Sequence, residues 1–157
     1  MVIPKDPDFS DVKGAAQRIE AFVHRTPVVT CKALDGLTGA RLYFKCEHLQ
    51  KVGAFKARGA TNAVFSLDEA EAARGVTTHS SGNHAAALAR AAGLRSVPAD
   101  IVMPSTAPPV KRAAVAGYGA SITLCEPTLE ARETALARVQ ARTGATFIHP
   151  YDDPRVI

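Results

Sequence analysis

Two rhythms of apolar and polar residues follow one another along the chain, and the change falls near Gly75. Before it the elements are short and uneven. Ser10 is placed to cap a helix running to about Val23, with Ala15, Ala16, Ile19, Phe22 and Val23 on one face. Pro27-Val28-Val29 reads as a short extended segment, Lys32 to Leu37 as a short helix ending at Gly39, and Arg41 to Glu47 as a strand. Phe55 to Phe65 is expected to be helical, followed by a second short helix over about Asp68 to Arg74. From Gly75 onward the pattern is regular. Strand Val76–His79 leads to helix Gly82–Ala92, closed by Gly93. Strand Ala99–Met103 leads to helix Pro109–Ala116, closed by Gly117. Strand Ser121–Leu124 leads to helix Pro127–Arg142, closed by Gly144, and strand Thr146–His149 follows. Four strands separated by three helices predict an α/β fold, a parallel, right-handed, doubly wound sheet. Such sheets bind ligands beyond the carboxyl ends of their strands, so the residues after Val76–His79 are the first place to look for chemistry.

Composition narrows the function classes. With 46% hydrophobic and 22% charged residues the chain is globular, and 29 alanines favour helices and close packing. The longest apolar runs are broken well before the ~20 residues a membrane span needs, so no membrane partner is expected. The net charge of +4 is spread along the chain without a Lys/Arg block, and Trp is absent, which argues against a nucleic-acid partner. Cys31, Cys46 and Cys125 form no C-x-x-C and read as free thiols of a reducing compartment. Met1 to Ser10 lacks the apolar core of a secretory signal. A cytoplasmic protein is the expectation. No G-x-G-x-x-G or P-loop pattern supports a dinucleotide or nucleotide site.

Two segments carry candidate chemistry. Ser80-Ser81-Gly82-Asn83-His84 sits where a strand ends and a helix begins, where unpaired N–H groups and the helix dipole favour an anion. The same residue types also serve as ordinary caps and turns. The second is Val52 to Ala60, in which Lys56 stands among Ala, Phe and Gly. A buried lysine loses its charge more readily and becomes a nucleophilic amine, whereas a solvated one merely covers apolar surface with its stem. Together, an amine able to condense with a carbonyl and an anion-binding turn about 25 residues later have the layout of a lysine-bound aldehyde cofactor beside a carboxylate pocket.

Four stretches of text resemble the serine/threonine dehydratase and serine racemase family, fold-type II enzymes that use pyridoxal 5′-phosphate (PLP). They are KCEHLQKVGAFKARGA at Lys45–Ala60, SSGNHAAALA at Ser80–Ala89, IVMPSTAPPVKRAAVAGYGA at Ile101–Ala120 and DDPRVI at Asp152–Ile157. The resemblance implies that Lys56 condenses with PLP and later takes the α-proton of the substrate. It implies that Phe55 packs on the cofactor ring and that Asn83 hydrogen-bonds the ring's phenolic oxygen. Ser80, Ser81, Gly82, Asn83 and His84 would line the substrate carboxylate site. Ser81 would be the proton partner on the opposite ring face, which keeps racemisation open as a second activity. The implied reaction is dehydration and deamination of a serine- or threonine-type amino acid to a 2-oxo acid and ammonia, with no metal ligands among these residues. The family form is a homodimer.

The resemblance also implies an organisation in which residues 1–74 are an incomplete part of a larger PLP domain. Residues 75–151 form a small four-stranded domain, and 152–157 start the return to the larger one. No two glycines are adjacent, so the glycine-rich loop that holds the cofactor phosphate in this family is not in these residues. Val28, Val29, Leu42, Tyr43 and Phe44 are then expected to lack part of their apolar cover. The 157-residue chain alone is expected to bind PLP weakly and to turn over slowly or not at all. The alternative is a non-catalytic module of the same ancestry that binds an amino acid or a partner through Ser80–His84.

Overall fold

A computed structural model describes residues 6–157. The reading of Met1–Ser10 as lacking a signal core falls partly on Met1–Lys5, outside the described residues. Helix α1 (Phe9–Ile19) is capped by Asp8 rather than by Ser10. The Asp8 carboxylate accepts the N–H groups of Ser10 and Asp11 at 2.8 and 3.2 Å, and Asp11 accepts that of Asp8 at 2.9 Å. An ionised carboxylate with a reciprocal partner outcompetes a hydroxyl for these donors, and the Ser10 hydroxyl itself donates to Asp8. The helix also stops short of Val23, because its end tightens into a 3₁₀ turn over Glu20–Phe22.

Strand β1 (Val28–Val29), helix α2 (Lys32–Thr38) and strand β2 (Phe44–Lys45) follow, with β1 and β2 paired antiparallel. The strand expected over Arg41–Glu47 is thus only two residues long. Its partner offers two residues, and Leu42 N–H is taken by the Asp35 carboxylate at 2.8 Å instead of a neighbouring strand. Val28, Val29, Tyr43 and Phe44 are exposed and Leu42 is half-buried. Two 3₁₀ turns, Glu47–Leu49 and Lys51–Gly53, lead into α3 (Lys56–Phe65) and α4 (Glu69–Arg74).

The regular half then unrolls as β3 (Val76–His79), α5 (Asn83–Arg95), β4 (Ala99–Pro104), α6 (Pro109–Gly117), β5 (Ser121–Cys125), α7 (Leu129–Thr143) and β6 (Thr146–Phe147). The four strands lie in the order β5-β4-β3-β6, all parallel, as the alternating pattern predicts. Several boundaries differ from expectation, among them that of β6, which ends at Phe147 rather than His149, where its pairing with β3 stops. Gly93 does not close α5, which runs on to Arg95 and turns at Ser96 with φ +58°. Gly93 instead permits close packing, since a Cβ there would lie 3.0 Å from the Tyr118 carbonyl oxygen. Gly117 is the last residue of α6, and the positive φ of +86° falls two residues later at Gly119. Helix α7 begins at Leu129 because the Thr128 hydroxyl accepts Ala131 N–H at 3.1 Å, leaving Pro127 outside.

Successive residues of β4 point to opposite sheet faces and sort the core into two layers. Ile101 and Met103 join the cluster with Ala85, Leu88 and Ala89 of α5 and Val115 of α6, whereas Val102 joins Leu136 and Val139 of α7. The first cluster extends into α3 through Ala60, Ala63 and Val64. Helices α3 and α5 share the most extensive contact between any two elements, and its buried side chains are mostly alanine.

Gly75, between α4 and β3, has φ +87°, and a Cβ there would meet the Pro98 carbonyl oxygen at 2.6 Å. Gly14, inside α1, has nothing within 4 Å of such an atom. Gly75→Ala is expected to destabilise the chain by about 2–4 kcal/mol, because a strained φ and a backbone clash act together. Gly14→Ala is expected to stabilise it by about 0.5–1 kcal/mol through helix propensity. Urea midpoints of the two variants measure both.

Candidate active site

Strand β3 delivers the chain to the turn ahead of α5. Ser80 N–H still donates to Val102 O at 3.0 Å, and Gly82 N–H donates to the Ser80 hydroxyl at 3.3 Å. Gly82 is the N-cap of α5 and has no side chain to offer, so no side chain caps the first turn of this thirteen-residue helix. The N–H groups there, and the positive end of the helix dipole, are available to an anion. Ser81 and Gly82 are half-buried, and the space beside Gly82 is open.

The two residues that open the helix take opposite environments. Asn83 is exposed, and its Oδ1 accepts from Lys111 Nζ at 3.2 Å. An ammonium only donates, so this contact turns the amide oxygen to the lysine and leaves the Nδ2 hydrogens to donate elsewhere. His84 is 3% exposed, and its Nε2 lies 3.1 Å from Ile148 O. A carbonyl only accepts, so Nε2 carries the proton and Nδ1 is a buried acceptor, without a partner among the described residues. Burial lowers the His84 pKa to about 4; the Ile148 carbonyl opposes this, and the positive charge of Lys56 and the neighbouring His149 add to it.

Lys56 opens α3 and is half-buried. Its Nζ donates to the Pro150 carbonyl oxygen and sits 5.0 Å from the centroid of the Phe55 ring. Phe55 itself is 59% exposed, so its ring keeps a face open to a ligand. Arg58, two residues after Lys56 in α3, is occupied elsewhere. Its Nε and Nη2 grip the two Glu47 carboxylate oxygens at 2.9 and 2.7 Å, and Nη2 also reaches the His24 carbonyl and the Thr26 hydroxyl. The Arg58 hydrogen bonds hold the Glu47 carboxyl down at about 2, against burial, which raises it.

The two candidate segments meet on a third that sequence reasoning missed. His84 holds the carbonyl of Ile148 and Lys56 that of Pro150, two residues apart just past β6. Acceptors of this kind are backbone groups, and no side-chain pattern announces them. The aromatic rings around them pack edge to face: His149 lies 5.5 Å from Phe147, 6.4 Å from His79 and 4.5 Å from Tyr151. Burial lowers the His79 pKa, and the neighbouring His149 and the charge of Arg132 lower it further. Among the described residues no group of three His, Cys, Asp or Glu side chains is arranged to hold a metal. An open cleft of about 770 Å³ is lined by residues of α1 and by Phe55, Lys56 and Tyr151, but not by Ser80–His84.

A condensable amine, a helix N-terminus without a side-chain cap, an oriented amide donor and an orphaned buried acceptor fit an aldehyde cofactor carrying a carboxylate substrate. The comparisons with known proteins point to the same cofactor. Residues 19–157 match the family model described as pyridoxal-phosphate dependent enzyme. The chain is 56% identical over 151 residues to a β-hydroxyaspartate dehydratase of Paracoccus denitrificans, covering 96% of this chain and 48% of that protein. It is 51% identical to a serine racemase of Dictyostelium discoideum, over 94% of this chain and 45% of the relative. The solved structure of maize serine racemase superposes with a TM-score of 0.93 at 47% identity, over 97% of this chain and 46% of that one. The chain therefore spans about half the length of the curated relatives it matches.

The neutral His84 makes stability depend on pH with a definite sign. Its pKa is lower folded than unfolded, so its contribution is complete above pH 6.5 and is lost as pH falls toward 4, where the unfolded chain binds a proton that the folded one refuses. Between pH 7.5 and 4.5 this group alone is expected to cost about 2–3 kcal/mol. Unfolding free energies from urea titrations at the two pH values should differ by that much less in His84→Gln than in the parent chain.

Proposed function

We propose that this chain, which belongs to the pyridoxal-phosphate dependent enzyme family, supplies the reactive lysine and the carboxylate-binding turn of an enzyme acting on β-hydroxy amino acids. The reaction is loss of the β-hydroxyl as water, followed by hydrolysis of the resulting enamine to a 2-oxo acid and ammonia, with racemisation at Cα as a second outcome. The observation that carries this reading is the convergence of the Lys56 amine and the N-terminal turn of α5 on the carbonyls of Pro150 and Ile148.

PLP, when bound, supplies the electron sink for the charge left at Cα. The remaining roles fall to side chains of this chain. Lys56 Nζ would hold the cofactor aldehyde and, once the substrate's amine has displaced it, would be free to take the proton from Cα. Asn83 Nδ2, set by the Lys111 contact, donates to the ring's phenolic oxygen. Phe55 offers the open face of its ring to the cofactor. Ser80, Ser81 and the first N–H groups of α5 take the substrate carboxylate, aided by the helix dipole. His84 stays neutral beneath them and adds no charge of its own. The Ser81 hydroxyl exchanges a proton with Cα on the face opposite Lys56.

Among substrates, a 3-hydroxyaspartate-type acid is favoured over serine. The relative that is 56% identical is named for it. A second carboxylate also needs a cation, and Lys111 and Arg132 both stand in first helical turns beyond the carboxyl ends of the sheet strands. Arg132 is near enough for its charge to act on His79.

Incubation of the chain with PLP, reduction with borohydride and peptide mapping should place the label on Lys56. Lys56→Ala should reduce incorporation to background, and in the assembled enzyme should lower turnover by at least about 10³-fold. Ser81→Ala should leave the label and lower racemisation by about 10²-fold or more. Label spread over surface lysines with none at Lys56, together with saturable amino-acid binding, would favour a non-catalytic binding module instead.

A further inference from the structure

We infer that His149 is a positioning residue: its ring shapes the turn that aims the Pro150 carbonyl at the Lys56 amine, giving that amine a resting acceptor whenever it is free. This rests on the role of Lys56 given above. His149 Nδ1 lies 2.8 Å from the N–H of Asp152 and 3.3 Å from that of Tyr151. Both are donors, so Nδ1 is an unprotonated acceptor that closes the turn over residues 149–152 around Pro150. Pro150 has no N–H to contribute, and its ring fixes φ, so the outer bond of this turn comes from the histidine side chain. The imidazole is held in place by edge-to-face contacts with Phe147, His79 and Tyr151. The carbonyl so presented is the hydrogen-bond acceptor of Lys56 Nζ, and among the described residues no carboxylate pairs with that amine. An ion pair would hold the lysine firmly as an ammonium. A neutral carbonyl holds it in place, near the α5 turn, and releases it readily.

Two substitutions separate the acceptor from the ring. His149→Asn retains an acceptor oxygen at the position of Nδ1 and loses the aromatic contacts; His149→Phe does the reverse. The first readout is the acetylation rate of Lys56 in the chain without added PLP, followed by mass spectrometry with Lys13 as an internal standard. The second is amide exchange at Tyr151 and Asp152. In His149→Phe, Lys56 should react about three- to tenfold faster and both amides should exchange faster, while His149→Asn should stay within about twofold of the parent. Unchanged Lys56 reactivity in His149→Phe, or equal acceleration in both variants, overturns the proposal. If His149→Phe does not fold, His149→Asn decides alone: parental protection supports the acceptor role, and its loss overturns it. Borohydride labelling with PLP keeps the two readings apart. No label at Lys56 in the parent chain counts against the enzymatic reading, whatever the turn does. A normal label with reactivity indifferent to His149 counts only against the turn.

Discussion

The close approach of α3 to α5 is the constraint on which the site depends. The residues these helices bury are mostly small, among them Ala57, Ala60 and Ala63 in α3 and Ala85, Ala86, Ala87, Ala89, Ala91 and Ala92 in α5. Short side chains let the helix backbones draw together, and they do so with both N-termini turned to the segment after β6. A bulkier residue at this contact would cost about 1–3 kcal/mol in overpacking. It would also move the Lys56 amine relative to the α5 turn, and displacements of about 1 Å between reacting groups are enough to slow chemistry by about a hundredfold. The carboxyl-terminal residues press on the same helix, since a Cβ on Gly59 would lie 2.3 Å from the Val156 carbonyl oxygen.

That segment is anchored from several sides, which makes it a frame for both candidate groups. Ile148 N–H continues the parallel ladder to Thr77 O at 2.9 Å. Farther on, Arg155 grips the buried Asp153 carboxylate at 2.9 and 2.8 Å, and Asn62 of α3 donates to the Arg155 carbonyl at 2.8 Å. Burial pushes the Asp153 carboxyl up, but the Arg155 hydrogen bonds outweigh it and the carboxyl titrates below its ordinary value. The charge pair therefore acts as a buttress behind the turn, while the acceptors that face Lys56 and His84 are uncharged carbonyls.

The extent to which this was legible in the sequence follows the physics of each element. The four parallel strands and their helices announced themselves because apolar runs bounded by glycine and proline leave few alternatives to a βα unit. Lys56 and Ser80–His84 were visible because amines, glycine turns and cap residues have chemical identity. Boundaries misled where two groups competed for one role, as when Asp8 displaced Ser10 at the head of α1. Gly93 misled for another reason: a glycine chosen for close packing against the Tyr118 carbonyl looks the same in sequence as one chosen to end a helix. The strand expected at Arg41–Glu47 failed because strand propensity without a long partner cannot make a ladder. Least legible was the stretch from Ile148 to Pro150, whose contribution is made largely by backbone oxygens.

The distribution of charge around these oxygens has a chemical logic of its own. A site that takes a carboxylate benefits from positive potential, and the α5 N-terminus and Lys56 provide it. A protonated His84 between them would add a third positive centre and would convert its Nδ1 from acceptor to donor. Burial and the proximity of Lys56 and His149 prevent this by keeping the imidazole neutral down to about pH 4. The same neutrality keeps the buried Nδ1 an acceptor rather than a donor. Among the described residues the partners recorded for the amine, Pro150 O and the Phe55 ring, are uncharged. The role proposed for Lys56, to bond to a cofactor, let go and then move a proton, is served by such surroundings, because no charged partner among the described residues holds the amine.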